Sequence, residues 1–102
     1  MKKILLVLMF LVSLVSAEKL DGKKVFQKYC WGCHHQTSMA FGPPFSEIAK
    51  KRTKAQIIAY IQSPKTMYKA FGYQRSVMTQ FHLNDGELQS ISDYILSFKG
   101  TK

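Results

Sequence analysis

The chain is short of acid, short of cysteine, and without a segment that reads as a strand. Six Asp and Glu stand against fifteen Lys and Arg in 102 residues, a net charge of +9, and only two residues are cysteine. Two thiols with no second close-spaced Cys/His pair fall short of the four donors of a structural zinc site. A disulfide between Cys30 and Cys33 would close too small a loop to restrain the unfolded chain much. No β-branched run leads into the pair, so the βαβ setting of a thioredoxin-like dithiol is missing too. Repeats and low-complexity tracts are absent. The basic residues are scattered through helical stretches rather than gathered in one tract, which weighs against nucleic acid as a partner. No apolar run reaches the ~20 residues that span a bilayer as a helix.

What the chain does have is a pattern around its two thiols. Cys30, Trp31, Gly32, Cys33 and His34 read CxxCH, the spacing by which haem is attached covalently. On one turn of helical backbone both sulfurs fall on the same side, where each can add to one vinyl group of a porphyrin. His34 follows Cys30 by four positions, projects from that same face, and can take one axial site on the iron. One haem c, held through Cys30 and Cys33, is the expected cofactor. A chain this short buries a modest core, so a large apolar group at its centre would supply much of the missing contact area.

Lys2 and Lys3 precede an apolar run from Ile4 to Val12, and Ser13 to Ala17 ends in small residues that a signal peptidase reads. Residues 1–17 are therefore expected to be a secretory signal peptide, cleaved after Ala17, with residues 18–102 forming one domain in a bacterial periplasm. Without the leader, thirteen basic side chains face six acidic ones, a net charge of +7. That surface suits an acidic docking partner, or transient contact with an anionic membrane face. No large apolar face is evidently left over, so a monomer is expected.

Along residues 18–102 the apolar spacing predicts helices. Asp21 or Gly22 opens the first, through Val25, Phe26 and Tyr29, and it ends at the CxxCH pattern. Gly42, Pro43 and Pro44 force a loop from His35 to Phe45. A short helix is expected over Ser46 to Lys51, with Lys50, Lys51 and Arg52 read as solvated charge. Thr53 and Gln56 form a capping box for a helix burying Ile57, Ile58 and Ile61, ended by Ser63 before Pro64. A helical turn is expected around Thr66 to Ala70, stopped at Gly72. Asn84 and Glu87 make a second box for the clearest amphipathic helix, through Leu88, Ile91, Ile95 and Phe98.

The second axial site has four candidate donors in the sequence: Met39, Met67, Met78 and His82. It must come from a segment able to fold over the far face of the macrocycle, which favours residues well after the histidine's own loop. Met39 belongs to that loop, and Met67 could equally be core. Met78 is flanked by Val77 and Phe81, which could shield it from water. Phe26, Phe45, Ile57, Ile61 and Phe81 are candidates for the apolar pocket. Lys28, Lys65, Lys69 and Arg75 could ring an exposed edge and speed docking.

Taken together, these landmarks resemble a small class I cytochrome c. Gly22 and Phe26 precede CxxCH at that family's spacing, Gly42-Pro43 resembles its loop on the histidine side, and Met78-Thr79-Gln80-Phe81 is similar to its MPxF ligand loop. Leu83 to Ile95, with Tyr94, resembles its C-terminal helix. The resemblance implies an all-α fold of four to five short helices around one haem, with His34 and Met78 as axial ligands. It also implies that the Pro43 carbonyl receives the Nδ1 proton of His34, and that Gly22 lets the first helix touch an aromatic of the last, Tyr94 or Phe98. Thr79 stands where the family usually has proline, so the loop loses a fixed φ. The implied role is one-electron transfer rather than enzyme catalysis, between a quinol-oxidising complex and an oxidase or peroxidase. The alternatives are a haem-bearing subunit of a periplasmic peroxidase, dehydrogenase or sulfur-oxidising complex, and a ligand-binding sensor.

Overall fold

The computed structural model describes residues 21–101. The expected signal peptide, residues 1–17, and the domain boundary at residue 18 lie outside them. Asp21 opens helix α1 (Gly22–Val25) as its N-cap, its carboxylate accepting the Lys23 amide at 3.0 Å. The helix then widens into a π-helical turn, Phe26–Cys30, in which the Trp31 amide donates to the Phe26 carbonyl five residues back, at 2.9 Å. Such turns recur at functional sites because they re-aim the side chains that follow. The attachment pattern comes directly after this one, and the His34 amide closes back onto the Cys30 carbonyl at 2.9 Å.

Four further helices follow: α2 (Phe45–Lys51), α3 (Lys54–Gln62), α4 (Pro64–Met67) and α5 (Asp85–Leu96). Among the described residues there is no strand, and the all-α expectation holds. Both capping boxes form: Thr53 with Gln56 at 3.2 and 2.9 Å, and Asn84 with Glu87 at 2.8 and 3.1 Å. The turn expected at Thr66 to Ala70 starts earlier, because Pro64 is preset for the first helical position, where its missing amide costs nothing. Gly72 does end that region, at φ 87°. Helix α2 begins one residue before the expected Ser46. Its first amides, Phe45 and Ser46, donate to the carbonyls of His35 and Gln36, both at 2.9 Å, and so tie the helix to the chain just after the attachment pattern.

Helix α5 is the central element and packs on α1, α2 and α3. Leu88, Ile91 and Ile95 meet Val25, Phe26, Phe45, Ile57 and Ile61 in one core. Tyr94 sits among three rings, with Phe26 at 5.6 Å, Phe45 at 6.2 Å and Phe98 at 5.1 Å. The crossing of α1 and α5 depends on Gly22: a Cβ there would overlap the Ser90 carbonyl oxygen and stand 2.7 Å from Tyr94 Cβ. Neither neighbour can swing away, since one is backbone and the other is fixed to it. Gly22→Ala is expected to lower stability by about 1–3 kcal/mol through this overpacking. Denaturant unfolding of the holoprotein measures it, and an unshifted midpoint would show that the helices can part freely. Among the described residues no helix is long and apolar enough to cross a membrane.

Candidate cofactor site

A cavity of about 620 Å³ opens between the attachment pattern, α3 and the segment that precedes α5. Its volume falls within the roughly 300–1,000 Å³ of small-molecule and cofactor sites. Cys30, Cys33 and His34 form one part of the wall, Ile57, Tyr60 and Ile61 another, and Met78, Thr79 and Phe81 a third.

The histidine ring is clamped. His34 Nδ1 lies 2.8 Å from the Pro43 carbonyl oxygen. A carbonyl only accepts, so Nδ1 carries the proton and Nε2 keeps a free lone pair for a metal. Phe45 lies nearly parallel to the imidazole, with centroids 5.7 Å apart and planes 24° from each other. Gly42 presses against the imidazole from its own backbone: an added Cβ would stand 2.5 Å from Cε1, 2.8 Å from Nδ1 and 3.0 Å from Nε2. The Gly42 amide donates to the Cys33 carbonyl at 2.6 Å, which draws the loop over the pattern.

No disulfide joins the two cysteines; Cys30 is half-buried and Cys33 exposed. Burial, and then the neighbouring Cys33, push the Cys30 thiol up to about 11. A redox dithiol works by the opposite shift, with a thiolate stabilised near neutral pH. Among the described residues no three His, Cys, Asp or Glu side chains gather as a metal cage would need. Neither the thioredoxin-like nor the zinc alternative gains support from this geometry.

Of the four candidate donors for the second axial site, only Met78 lies on the cavity wall. Met39 is 69% exposed, His82 borders a separate smaller hollow with Gln62 and Asn84, and Met67 is half-buried away from the cavity. Val77 and Phe81 flank Met78 on the wall, and the Phe81 ring stands edge-on to Tyr29 with centroids 5.6 Å apart.

Four of the five candidate pocket residues line the cavity: Phe45, Ile57, Ile61 and Phe81. Phe26 does not. Its ring, at the start of the π-helical turn, sits one layer behind, against Phe45 at 5.2 Å and Tyr94 of α5 at 5.6 Å. Among the basic candidates Arg75 is on the wall and Lys28 lies over the ring of the wall residue Tyr29, whereas Lys65 and Lys69 are not part of the wall. Phe41 and Val77, both on the cavity wall, are 75% and 63% exposed.

Arg52, expected from the sequence as one of three solvated charges, is instead part of the cavity wall. Lys50 and Lys51 are exposed on α2, but Arg52 caps the helix in extended conformation and turns inward to the cavity wall. Its guanidinium lies 4.2 Å from the Phe71 ring centroid and 5.8 Å from that of Tyr73, and Nη2 donates to the Phe71 carbonyl at 2.8 Å. Arg52 Nε is buried with no hydrogen-bond partner among the described residues. The nearby Tyr60 phenol is pushed up by burial first and Tyr73 second, with Arg52 opposing, so it stays a proton donor at neutral pH. An apolar wall that carries one unsatisfied cationic donor fits a flat apolar macrocycle bearing carboxylates. Only the arrival of aromatic residues about twenty positions later, Phe71 and Tyr73, could have flagged Arg52.

A family model described as Cytochrome c matches residues 20–99. No curated protein and no solved structure matches the chain.

Proposed function

The chain belongs to the cytochrome c family, and on that footing we propose that it is a periplasmic monohaem carrier of single electrons, with His34 and Met78 as its axial ligands. Members of the family bind haem c covalently, and Cys30 and Cys33 are the pair that holds it here. Bound haem supplies a one-electron iron couple. The rest of the work falls to the protein. Pro43 fixes the His34 proton on Nδ1 and so presents Nε2 to the metal. Met78 would offer a soft thioether from the same cavity wall, which would favour ferrous iron and raise the potential relative to two histidines. Arg52 Nε and the protonated Tyr60 would hold a haem carboxylate. Phe45, Ile57, Ile61 and Phe81, which line the cavity, would keep water from a bound iron.

One observation carries this reading: Met78 shares a single cavity with Cys30, Cys33 and His34. Two protein ligands leave no vacancy for oxygen or peroxide, which favours a carrier over an enzyme. Redox partner proteins are implied by the family. We take the donor to be a quinol-oxidising complex and the acceptor an oxidase or peroxidase, with Arg75 at the cavity and Lys28 beside it steering toward acidic surfaces. The reduced protein at neutral pH is expected to bind no carbon monoxide within minutes. A stoichiometric adduct would move the assignment to an enzyme or a sensor. The subunit reading draws on Trp31 and Met39, exposed away from the cavity wall; size exclusion of native extract separates it from a free monomer.

A further inference from the structure

Met78 stands in a segment that the rest of the fold holds at very few points. Residues 74–83 make no backbone–backbone hydrogen bond among the described residues. The last such bond before them joins the Tyr73 amide to the Tyr68 carbonyl at 2.9 Å, and the next belongs to the Asn84 cap of α5. Thr79 has none of the backbone restraint a proline would impose. Between those ends Met78 and Leu83 pack on the core, Phe81 meets Tyr29, the Ser76 hydroxyl is buried without a hydrogen-bond partner among the described residues, and one side-chain hydrogen bond reaches the body. That bond runs from Gln80 Nε2 to the Gln62 carbonyl at 3.2 Å.

The acceptor is well chosen. Gln62 is the last residue of α3, so its carbonyl is one of those a helix C-terminus leaves unsatisfied. The amide four residues on, Thr66, bonds to the Ser63 carbonyl instead, at 3.1 Å. Gln80 thus ties the segment bearing Met78 to the helix that supplies Ile57, Tyr60 and Ile61 to the same cavity. Ring and methyl contacts can slide; a directional bond fixes register.

On the reading that Met78 is an iron ligand, we propose that Gln80 is a latch. Its bond to Gln62 keeps residues 74–83 closed over the cavity, and breaking it opens the axial position on the Met78 side to small ligands. Gln80 touches neither haem nor ligand and acts through Met78, as a positioning residue. Loss of one exposed hydrogen bond shifts an open–closed equilibrium by about two- to tenfold.

The test is cyanide association with the ferric holoprotein, whose rate follows the open population. Gln80→Glu keeps the side chain's size and removes the donor; it is expected to bind cyanide about two- to tenfold faster. Gln80→Lys keeps an N–H donor and should stay near the wild-type rate. Thr53→Ala removes the cap of α3 and should lower the thermal midpoint while leaving the cyanide rate unchanged. A wild-type rate in Gln80→Glu overturns the latch, as does equal acceleration in Thr53→Ala, which would tie the rate to general stability. The ferric wild type should also show the sulfur-to-iron charge-transfer band in the red. If that band is absent, the Met78 reading falls and the latch with it; if it is present and the rates are equal, the latch alone falls.

Discussion

Cys30→Ala combined with Cys33→Ala is expected to leave little compact protein. The cavity of about 620 Å³ lies between helices that otherwise form the core, so without a covalently held macrocycle those helices face each other across a gap. At roughly 24 cal/mol per Å³ of unfilled apolar cavity, a rigid void of that size would cost about 15 kcal/mol. That exceeds the whole stability of most small domains, roughly 5–15 kcal/mol. Water entry through the open mouth and partial collapse lower the figure. They do so by exposing Phe45, Ile57 and Ile61 or by undoing the crossing of α1 and α5. The helices are also too short to persist alone, since the longest described, Asp85–Leu96, has 12 residues. The double variant, expressed with the maturation machinery present, should show weak far-ultraviolet helicity and no cooperative melt. A compact apo form with a sharp thermal transition would mean that the protein side chains alone close the core.

The parts legible in the sequence were those set by local chemistry. Thr53 with Gln56 and Asn84 with Glu87 each satisfy their own orphan amides within four residues, so both boxes could be read without tertiary knowledge. The spacing of Leu88, Ile91 and Ile95 fixed the buried face of α5 in the same way. The close approach of Gly22 to an aromatic of the last helix, Tyr94 or Phe98, follows from family resemblance alone, because no local rule says which glycine meets which helix; the neighbour is Tyr94. Illegible features depend on partners distant in sequence. Phe26 has the same apolar character as Phe45, and only the tertiary packing puts one ring behind the cavity wall and the other on it. Arg52 looks like its neighbours Lys50 and Lys51 until Phe71 folds under it. The π-helical turn leaves the apolar spacing of Val25, Phe26 and Tyr29 almost unchanged, so periodicity could not reveal it. The early start of α4 is different: besides ending α3, Pro64 carries a readable cue, its preference for the first helical position.

Met78→Ala and Met78→His are expected to divide the roles that one side chain combines. With Met78 as ligand, alanine removes the donor and leaves the opening beside Val77 and Phe81, so the ferrous protein should gain stoichiometric carbon monoxide binding that the wild type lacks. Histidine replaces a soft sulfur by a harder nitrogen, which stabilises ferric iron. Axial ligands command a range of roughly 0.8 V across haem proteins, and a clear fall in potential within that range follows for this exchange. The sulfur-to-iron band should vanish in both variants. The other methionines are the controls. Met39 is exposed off the cavity wall and Met67 packs away from it, so Met39→Leu and Met67→Leu should leave band and potential where they were. Voltammetry and absorption spectra of the four variants decide between the candidates. If the band survives in Met78→His and is lost in Met67→Leu, then residues 74–83 do not supply the ligand and the region from Pro64 to Gly72 must rearrange toward the iron.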